Sequence, residues 1–387
     1  MESQPIQVLV VDDSALMRNL VSRIIDQEPD LEVAGKAMNG RFALGKLDSL
    51  KPDAIVLDLE MPEMNGVAFL QERKKLGITI PVIVLSAVAQ KGATITMDAL
   101  SLGAADFIPK PSGQDPEEIR TIGKQLVEMV RSYGTRYRQE NKRLPIGTKT
   151  AAQKPSESQK TLSTTKSEET PRISTITEVS RTPSRTRTRK AQPGQLELIA
   201  IGISTGGPNA LRHVFSQLHP ELKTPILVVQ HMPAGFTTEF AKSLDRICPM
   251  DVKEAQEGDI IRPGRILIAP GDYHISVERK SLAVILHLES TPPVNGHRPS
   301  ADVLFESVAR VYGNRAMGII MTGMGKDGAD KLGDIYEAGG ITLGQDQDSS
   351  VVYGMPRVAQ EYGHVMEQVE LNDMANRIYT LAQELGG

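Results

Sequence analysis

The sequence predicts two α/β domains, residues 1–135 and 196–387, joined by a flexible basic tether over 136–195. Three observations predict it. At 387 residues the chain is too long for one ordinary core. On both sides of its middle, short β-branched runs alternate with stretches of helical period, the pattern of repeated βαβ units and parallel sheets. Between the two lies a segment without apolar periodicity, rich in Ser, Thr, Lys and Arg.

In the first domain the apolar runs fall at 6–11, 31–37, 54–58, 81–86 and 105–110. Leu16, Leu20 and Ile24 mark one intervening helix, and Ile119, Ile122, Leu126 and Val130 another. Five strands so interleaved predict a parallel (βα)5 sheet covered on both faces. The tether holds 14 Lys/Arg against 5 Asp/Glu, a balance of +9, so the overall −4 leaves −13 for the rest of the chain. Tyr137 is its only aromatic. With so little to stack on bases, a solvated linker is expected rather than a nucleic-acid arm. About 60 such residues span roughly 40–45 Å, enough for two domains to touch or part without strain. In the second domain strands are expected at 196–204, 225–231, 265–270, 273–277, 282–288, 316–322 and 339–344. Helices are expected at 208–218, 300–312, 326–338 and 371–385. The three strands through 265–288 follow one another without helices, which predicts a β-meander in a doubly wound, mainly parallel fold.

Composition narrows the setting. Hydrophobic residues make up 40% and charged residues 24%, as in an ordinary soluble protein. The single Cys248 excludes an intrachain disulfide and any multi-cysteine metal site, and suits a reducing cytoplasm. No apolar run reaches the ~18 residues that a membrane span needs, and the first residues lack a signal-peptide layout. A cytoplasmic monomer without membrane insertion is expected.

Two groups of polar residues sit where open α/β sheets place ligands, at the carboxyl ends of strands. In the first domain these are Asp12 and Asp13 after the first strand, Asp58 ending the third, Ser86 ending the fourth and Lys110 after the fifth. Clustered carboxylates raise one another's pKa unless a cation intervenes. A hard divalent ion such as Mg²⁺ resolves this, and would offset the charge of a phosphoryl group carried on Asp58. Read singly, Asp12 and Asp13 could equally be an N-cap pair. In the second domain Gly202-Ile203-Ser204-Thr205-Gly206 lies between a strand and a helix, a turn that projects a serine hydroxyl from the sheet edge. N–H groups from Thr205 onward, at the helix start, could hold an oxyanion. A phosphate-binding glycine loop and a plain N-cap serine are the rivals. His231 ends the next strand, and Asp327 follows the run 316–322. If those strands are parallel neighbours, hydroxyl, imidazole and carboxylate emerge on one edge, the set that acyl transfer requires. His364 with Asp346 or Asp348 would be another arrangement.

The motifs add a resemblance. VVDDS at 10–14, VLDLEMPEMNG at 56–66, LSA at 85–87 and FIPKP at 107–111 resemble the response-regulator receiver family, whose fold is flavodoxin-like. It implies phosphorylation of Asp58 by a histidine kinase, Asp13 and the Glu60 carbonyl near Mg²⁺, and Ser86 and Phe107 at the switch positions. Phe107 lacks the hydroxyl of a tyrosine there. AIGISTGGPNAL (200–211), VVQHMPAGFT (228–237), HRPSADVLFESVA (297–309) and MTGMGKDGA (321–329) resemble the chemotaxis methylesterase family, CheB, over essentially all of 196–387. That resemblance implies Ser204 as nucleophile, His231 as base, Asp327 as its partner and the Met324 N–H in the oxyanion hole. The implied activity is phosphorylation-activated hydrolysis of glutamate methyl esters, and deamidation of particular glutamines, on methyl-accepting chemotaxis receptors. A transcriptional response regulator and a non-enzymatic receptor adaptor are the other functional classes.

Overall fold

The computed structural model describes residues 4–87, 90–111, 116–143 and 191–386. Most of the expected tether, 144–190, lies outside the described residues.

The first domain runs β1 (Ile6–Val11), α1 (Ala15–Asp26), β2 (Leu31–Ala37), α2 (Gly40–Leu50), β3 (Ala54–Asp58), α3 (Gly66–Lys75), β4 (Val82–Ser86), α4 (Gln90–Ser101), β5 (Asp106–Pro109) and α5 (Pro116–Arg143). The five strands pair in parallel in the order β2-β1-β3-β4-β5. Their β-branched runs are the reason: β3 and β4 are buried throughout because helices cover both faces. Ser14, Asn39 and Asn65 start α1, α2 and α3 by accepting from N–H groups of the first turn. The strand order reverses between β1 and β3, which opens a crevice at their carboxyl ends. Helix α5 continues eight residues into the stretch expected as tether. Arg138 anchors it there through Asp53 Oδ2 at 2.6 Å.

The second domain runs β6 (Leu198–Ile203), α6 (Gly207–Ser216), β7 (Ile226–Gln230), α7 (Phe236–Asp245), β8 (Asp251–Glu254), β9 (Arg265–Ile268), β10 (His274–Arg279), β11 (Val284–Glu289), α8 (Ala301–Tyr312), β12 (Ala316–Ile320), α9 (Leu332–Glu337), β13 (Ile341–Gln345), α10 (Met355–Glu361), β14 (Glu367–Val369) and α11 (Leu371–Glu384). Seven strands form one parallel sheet in the order β14-β13-β12-β6-β7-β9-β8. Of the three strands expected to run on as a meander, β9 joins this sheet. Only β10 and β11 pair antiparallel, as a separate hairpin packed on α8. Phe305, Leu304 and Val308 of α8 fill one face of the sheet. Phe215, Phe236 and Phe240 of α6 and α7 fill the other. Central strand β6 is buried along its whole length. Its neighbours β7 and β12 therefore bring the loops after all three strands to one rim. Among the described residues, no helix is long and apolar enough to cross a membrane.

Candidate active site and acidic pocket

The crevice of the first domain gathers the residues expected there. Asp12 and Asp58 are buried, Asp13 is exposed, and carboxylate oxygens of the three lie within 4.8 Å of one another. Lys110 Nζ pairs with Asp58 Oδ2 at 2.7 Å and Asp12 Oδ2 at 3.0 Å. Burial pushes the Asp58 carboxyl up, and Lys110 opposes that only in part. Burial also acts to lower Lys110, but the two carboxylates outweigh it and raise its pKa. One lysine thus faces two buried carboxylates, and neither Oδ2 has an aligned hydrogen-bond donor. Three hard oxygen donors short of positive charge fit a divalent cation. Glu60 follows in the same loop, its N–H donating to Asp58 Oδ1 at 3.1 Å. The Ser86 hydroxyl is engaged with α4, accepting from Thr96 Oγ1 at 2.6 Å. Phe107 turns to the second domain, its ring centroid 4.8 Å from that of Phe236.

In the second domain, β12, β6 and β7 are the parallel neighbours that the sequence argument required. Ser204 follows β6, and its N–H donates to Thr322 O at 3.0 Å, which ties the turn to the loop after β12. Gly206 sits at φ +79°, a conformation costly for any other residue. Gly323 lets that loop approach closely, since a Cβ there would lie 2.7 Å from Ser204 Cβ. Gln230, buried at the end of β7, donates from Nε2 to the carbonyls of both Ser204 and His231, at 3.0 and 3.1 Å.

His231 Nε2 meets Asp327 Oδ2 at 2.8 Å. That bond places the ring proton on Nε2 and leaves Nδ1, buried and without a hydrogen-bond partner, as the basic nitrogen. Asp327 has three further donors: Ser300 Oγ at 2.6 Å and Asn295 Nδ2 at 3.0 Å to Oδ1, and the Ala301 N–H at 2.6 Å to Oδ2. Burial alone would raise this carboxyl. The bond and charge of His231, with Ser300 and Asn295, outweigh it and hold the group well below the usual carboxylate range. His274 stands behind Ser300: its Nδ1 accepts the Ser300 N–H at 3.1 Å and its Nε2–H donates to Pro292 O at 3.1 Å. His364, weighed as another base, is buried and donates to Ala329 O at 2.8 Å, while Asp346 is bonded to Ser349. His231 and Asp327 are bonded beside the Ser204 turn with no hydrogen bond joining Ser204 to His231 Nδ1, whereas His364 and Asp346 are bonded elsewhere.

Ser204, Thr205, His231 and Met324 line a cavity of about 220 Å³. The first domain adds a further wall, with Asp106, Phe107, Gln125 and Met129. Asp106 Oδ2 accepts the Gly206 N–H at 2.7 Å, two residues beyond Ser204. Burial pushes the Asp106 carboxyl up to about 6, against the pull of the Gly206 and Phe107 N–H groups. Asn209 of α6 donates to Ala104 O at 2.9 Å and Ala105 O at 2.8 Å. Arg136 reaches Ser349 O at 3.2 Å, and α4 packs on α7. None of these cross-domain partners was legible in the sequence, because each depends on how two folded surfaces meet.

Residues 199–378 match the family model described as CheB methylesterase, and residues 8–122 that of the response regulator receiver domain. The protein-glutamate methylesterase/protein-glutamine glutaminase of Treponema denticola is 54% identical over 385 residues, covering 98% of this chain and 99% of its own. The protein of the same name from Treponema pallidum is 52% identical over 390 residues, covering 96% of each chain. The crystal structure of the Thermotoga maritima CheB methylesterase catalytic domain is 34% identical. It covers 48% of this chain and 98% of its own, with a TM-score of 0.47.

Proposed function

The chain belongs to the protein-glutamate methylesterase/protein-glutamine glutaminase family, and from that premise we propose that Ser204, His231 and Asp327 carry its hydrolysis of glutamate methyl esters and glutamine amides on chemotaxis receptors. One observation carries the assignment of residues. The bond between His231 and Asp327 joins the loops after β7 and β12, and Ser204 follows the strand between them, in the same cavity.

In this mechanism Ser204 Oγ attacks the side-chain carbonyl carbon while His231 Nδ1 takes its proton. Asp327 fixes the ring tautomer and balances the imidazolium charge. The carbonyl oxygen becomes an oxyanion, which the Thr205 and Met324 N–H groups receive. Each such donor is worth about 10²–10³ in turnover. The imidazolium then protonates the departing methanol or ammonia. Water, deprotonated by the same nitrogen, cleaves the acyl-serine and leaves a free glutamate.

The first domain governs access. The pocket suits a divalent cation such as Mg²⁺, held by Asp12, Asp13 and Asp58 with the Glu60 carbonyl, which when bound offsets the charge of the phosphoryl group on Asp58. Lys110 and Ser86 receive the new phosphoryl oxygens, and the phosphodonor is a histidine kinase. Phosphorylation adds about −1.5 to −2 charges at pH 7. Ser86 and β5 carry that change to Phe107 and Asp106, which sit against α7 and α6. Without phosphate, the first domain walls the cavity and keeps out a receptor helix. A transcriptional role is not favoured, since the second domain matches the CheB methylesterase family and its relatives are named methylesterase/glutaminase. The test is methanol release from methylated receptor membranes, with and without a phosphodonor. Loss of release on Ser204→Ala supports the assignment, and release that survives the substitution removes it.

A further inference from the structure

The loop before α8 touches two members of the proposed triad at once. Val294 and His297 exchange backbone hydrogen bonds at 2.9 and 3.0 Å, closing a two-residue turn over Asn295 and Gly296. Those residues have φ of +52° and +80°, the sign that a type I′ turn needs and that Asn-Gly supplies most readily. From this turn Asn295 Nδ2 reaches Asp327 Oδ1 at 3.0 Å. The His297 ring lies flat on that of His231, with centroids 3.7 Å apart and planes 11° from parallel. His297 also lines the cavity that holds Ser204.

Resting on the assignment of Ser204 and His231 above, we propose that His297 is a positioning residue, whose stacked ring fixes the plane of the base and stabilises it as it becomes an imidazolium. His231 is held in its plane by a single bond at Nε2, about which the ring can tilt. A flat neighbour on one face removes that freedom while leaving Nδ1 open. The neighbour must be neutral, because a second cation would oppose proton transfer. Burial and the neighbouring His231 depress the His297 pKa to about 4, against the pull of Asp327, so it remains an uncharged π face at neutral pH. As the proton arrives on His231, that face meets a cation, a favourable contact that is absent before transfer. An interaction made only as charge develops lowers the barrier without tightening substrate binding.

The test uses the full chain, phosphodonor and methylated receptor membranes, with kcat and KM measured separately. His297→Leu keeps the bulk without the π face, and is expected to lower kcat about 5- to 30-fold with KM within about twofold. His297→Phe restores a flat ring that cannot carry a proton, and is expected to recover most of that loss. Thermal unfolding of each variant shows that the folded population is kept. Wild-type kcat in the Leu variant overturns the proposal. So does a loss confined to KM, which would make His297 a substrate contact, or a Phe variant as slow as Leu, which would make it a proton carrier. Turnover that survives Ser204→Ala would remove the underlying assignment, an outcome distinct from any of these.

Discussion

Asn209→Ala should release the brake without touching the chemistry. Asn209 sits on α6 and gives two hydrogen bonds across the domain boundary, to Ala104 O at 2.9 Å and Ala105 O at 2.8 Å. When the domains part, water satisfies the amide and both carbonyls. The two bonds therefore count only toward docking. At about 0.5–1.5 kcal/mol each, their loss weakens docking by about 1–3 kcal/mol, a shift of roughly 5- to 150-fold toward the open form. If the unphosphorylated chain is mostly docked, its basal turnover rises by that factor, up to the rate of the phosphorylated wild type. The assay is methanol release from methylated receptor membranes, run without and with a phosphodonor. Basal release should climb while phosphorylated release stays level. Unchanged basal release would refute the docking role. A fall in both rates would mean that Asn209 acts on the nucleophile turn instead.

Four further outcomes are expected. Asp327→Asn puts an amide where three donors and the His231 ring converge, so kcat should fall about 10³–10⁴-fold with the fold retained, as methanol release and circular dichroism would show. Asp327 is held below its ordinary 3.8 in the folded chain, so its contribution to stability is complete above that value and is lost as pH falls through the depressed one. Acid unfolding followed by circular dichroism should therefore begin below about pH 4 for this domain. Asp106 has the opposite sign: burial raises its carboxyl to about 6 from 3.8, so folding takes up a proton and its charge costs stability above about pH 6, a cost relieved as pH falls through that value. Denaturant titration of Asp106→Asn should show a smaller gain in stability from about pH 7 to 5 than the wild type. Gly206→Ala forces φ +79° on a residue with a Cβ, which would also lie 2.8 Å from the Val351 side chain. The second domain should lose about 1–3 kcal/mol by denaturant titration.

How much of this was legible beforehand follows from which forces act locally. The central strands were readable because burial on both faces demands unbroken apolar runs, as in Ala54–Asp58 and Ile226–Gln230. The edge strands Asp251–Glu254 and Glu367–Val369 are short and polar, so they carry no such run. Helix α7 starts on Gly235 rather than a Ser or Asp cap, and α10 on Gly354, so neither announced itself. Helix α9 was expected from 326 but begins at Leu332, because Gly325 and Gly328 hold positive φ and keep the chain in turns. Ser204 and His231 were readable as strand-end residues and Asp327 as a residue of the loop after the run 316–322, and the strands before them prove to be parallel neighbours. Asn295, His297 and the His274–Ser300 pair lie in or beside a loop whose path is set by what it packs against. The motif at 297–309 marked its end through the family resemblance, and the Asn-Gly dipeptide signalled a turn, but neither gave the contacts.

The cavity beside Ser204 has walls from both domains, and that shared wall makes two events answer to each other. If a receptor segment fills the cleft only once the first domain has moved aside, receptor and docked domain compete for one surface. If the phosphoryl group on Asp58 favours the parted form, a bound receptor must favour the phosphoryl group by the same factor, since the two equilibria close a thermodynamic cycle. Receptors are then more than a pool of esters: by occupying the cleft, they shift the phosphorylation equilibrium toward the form that admits them.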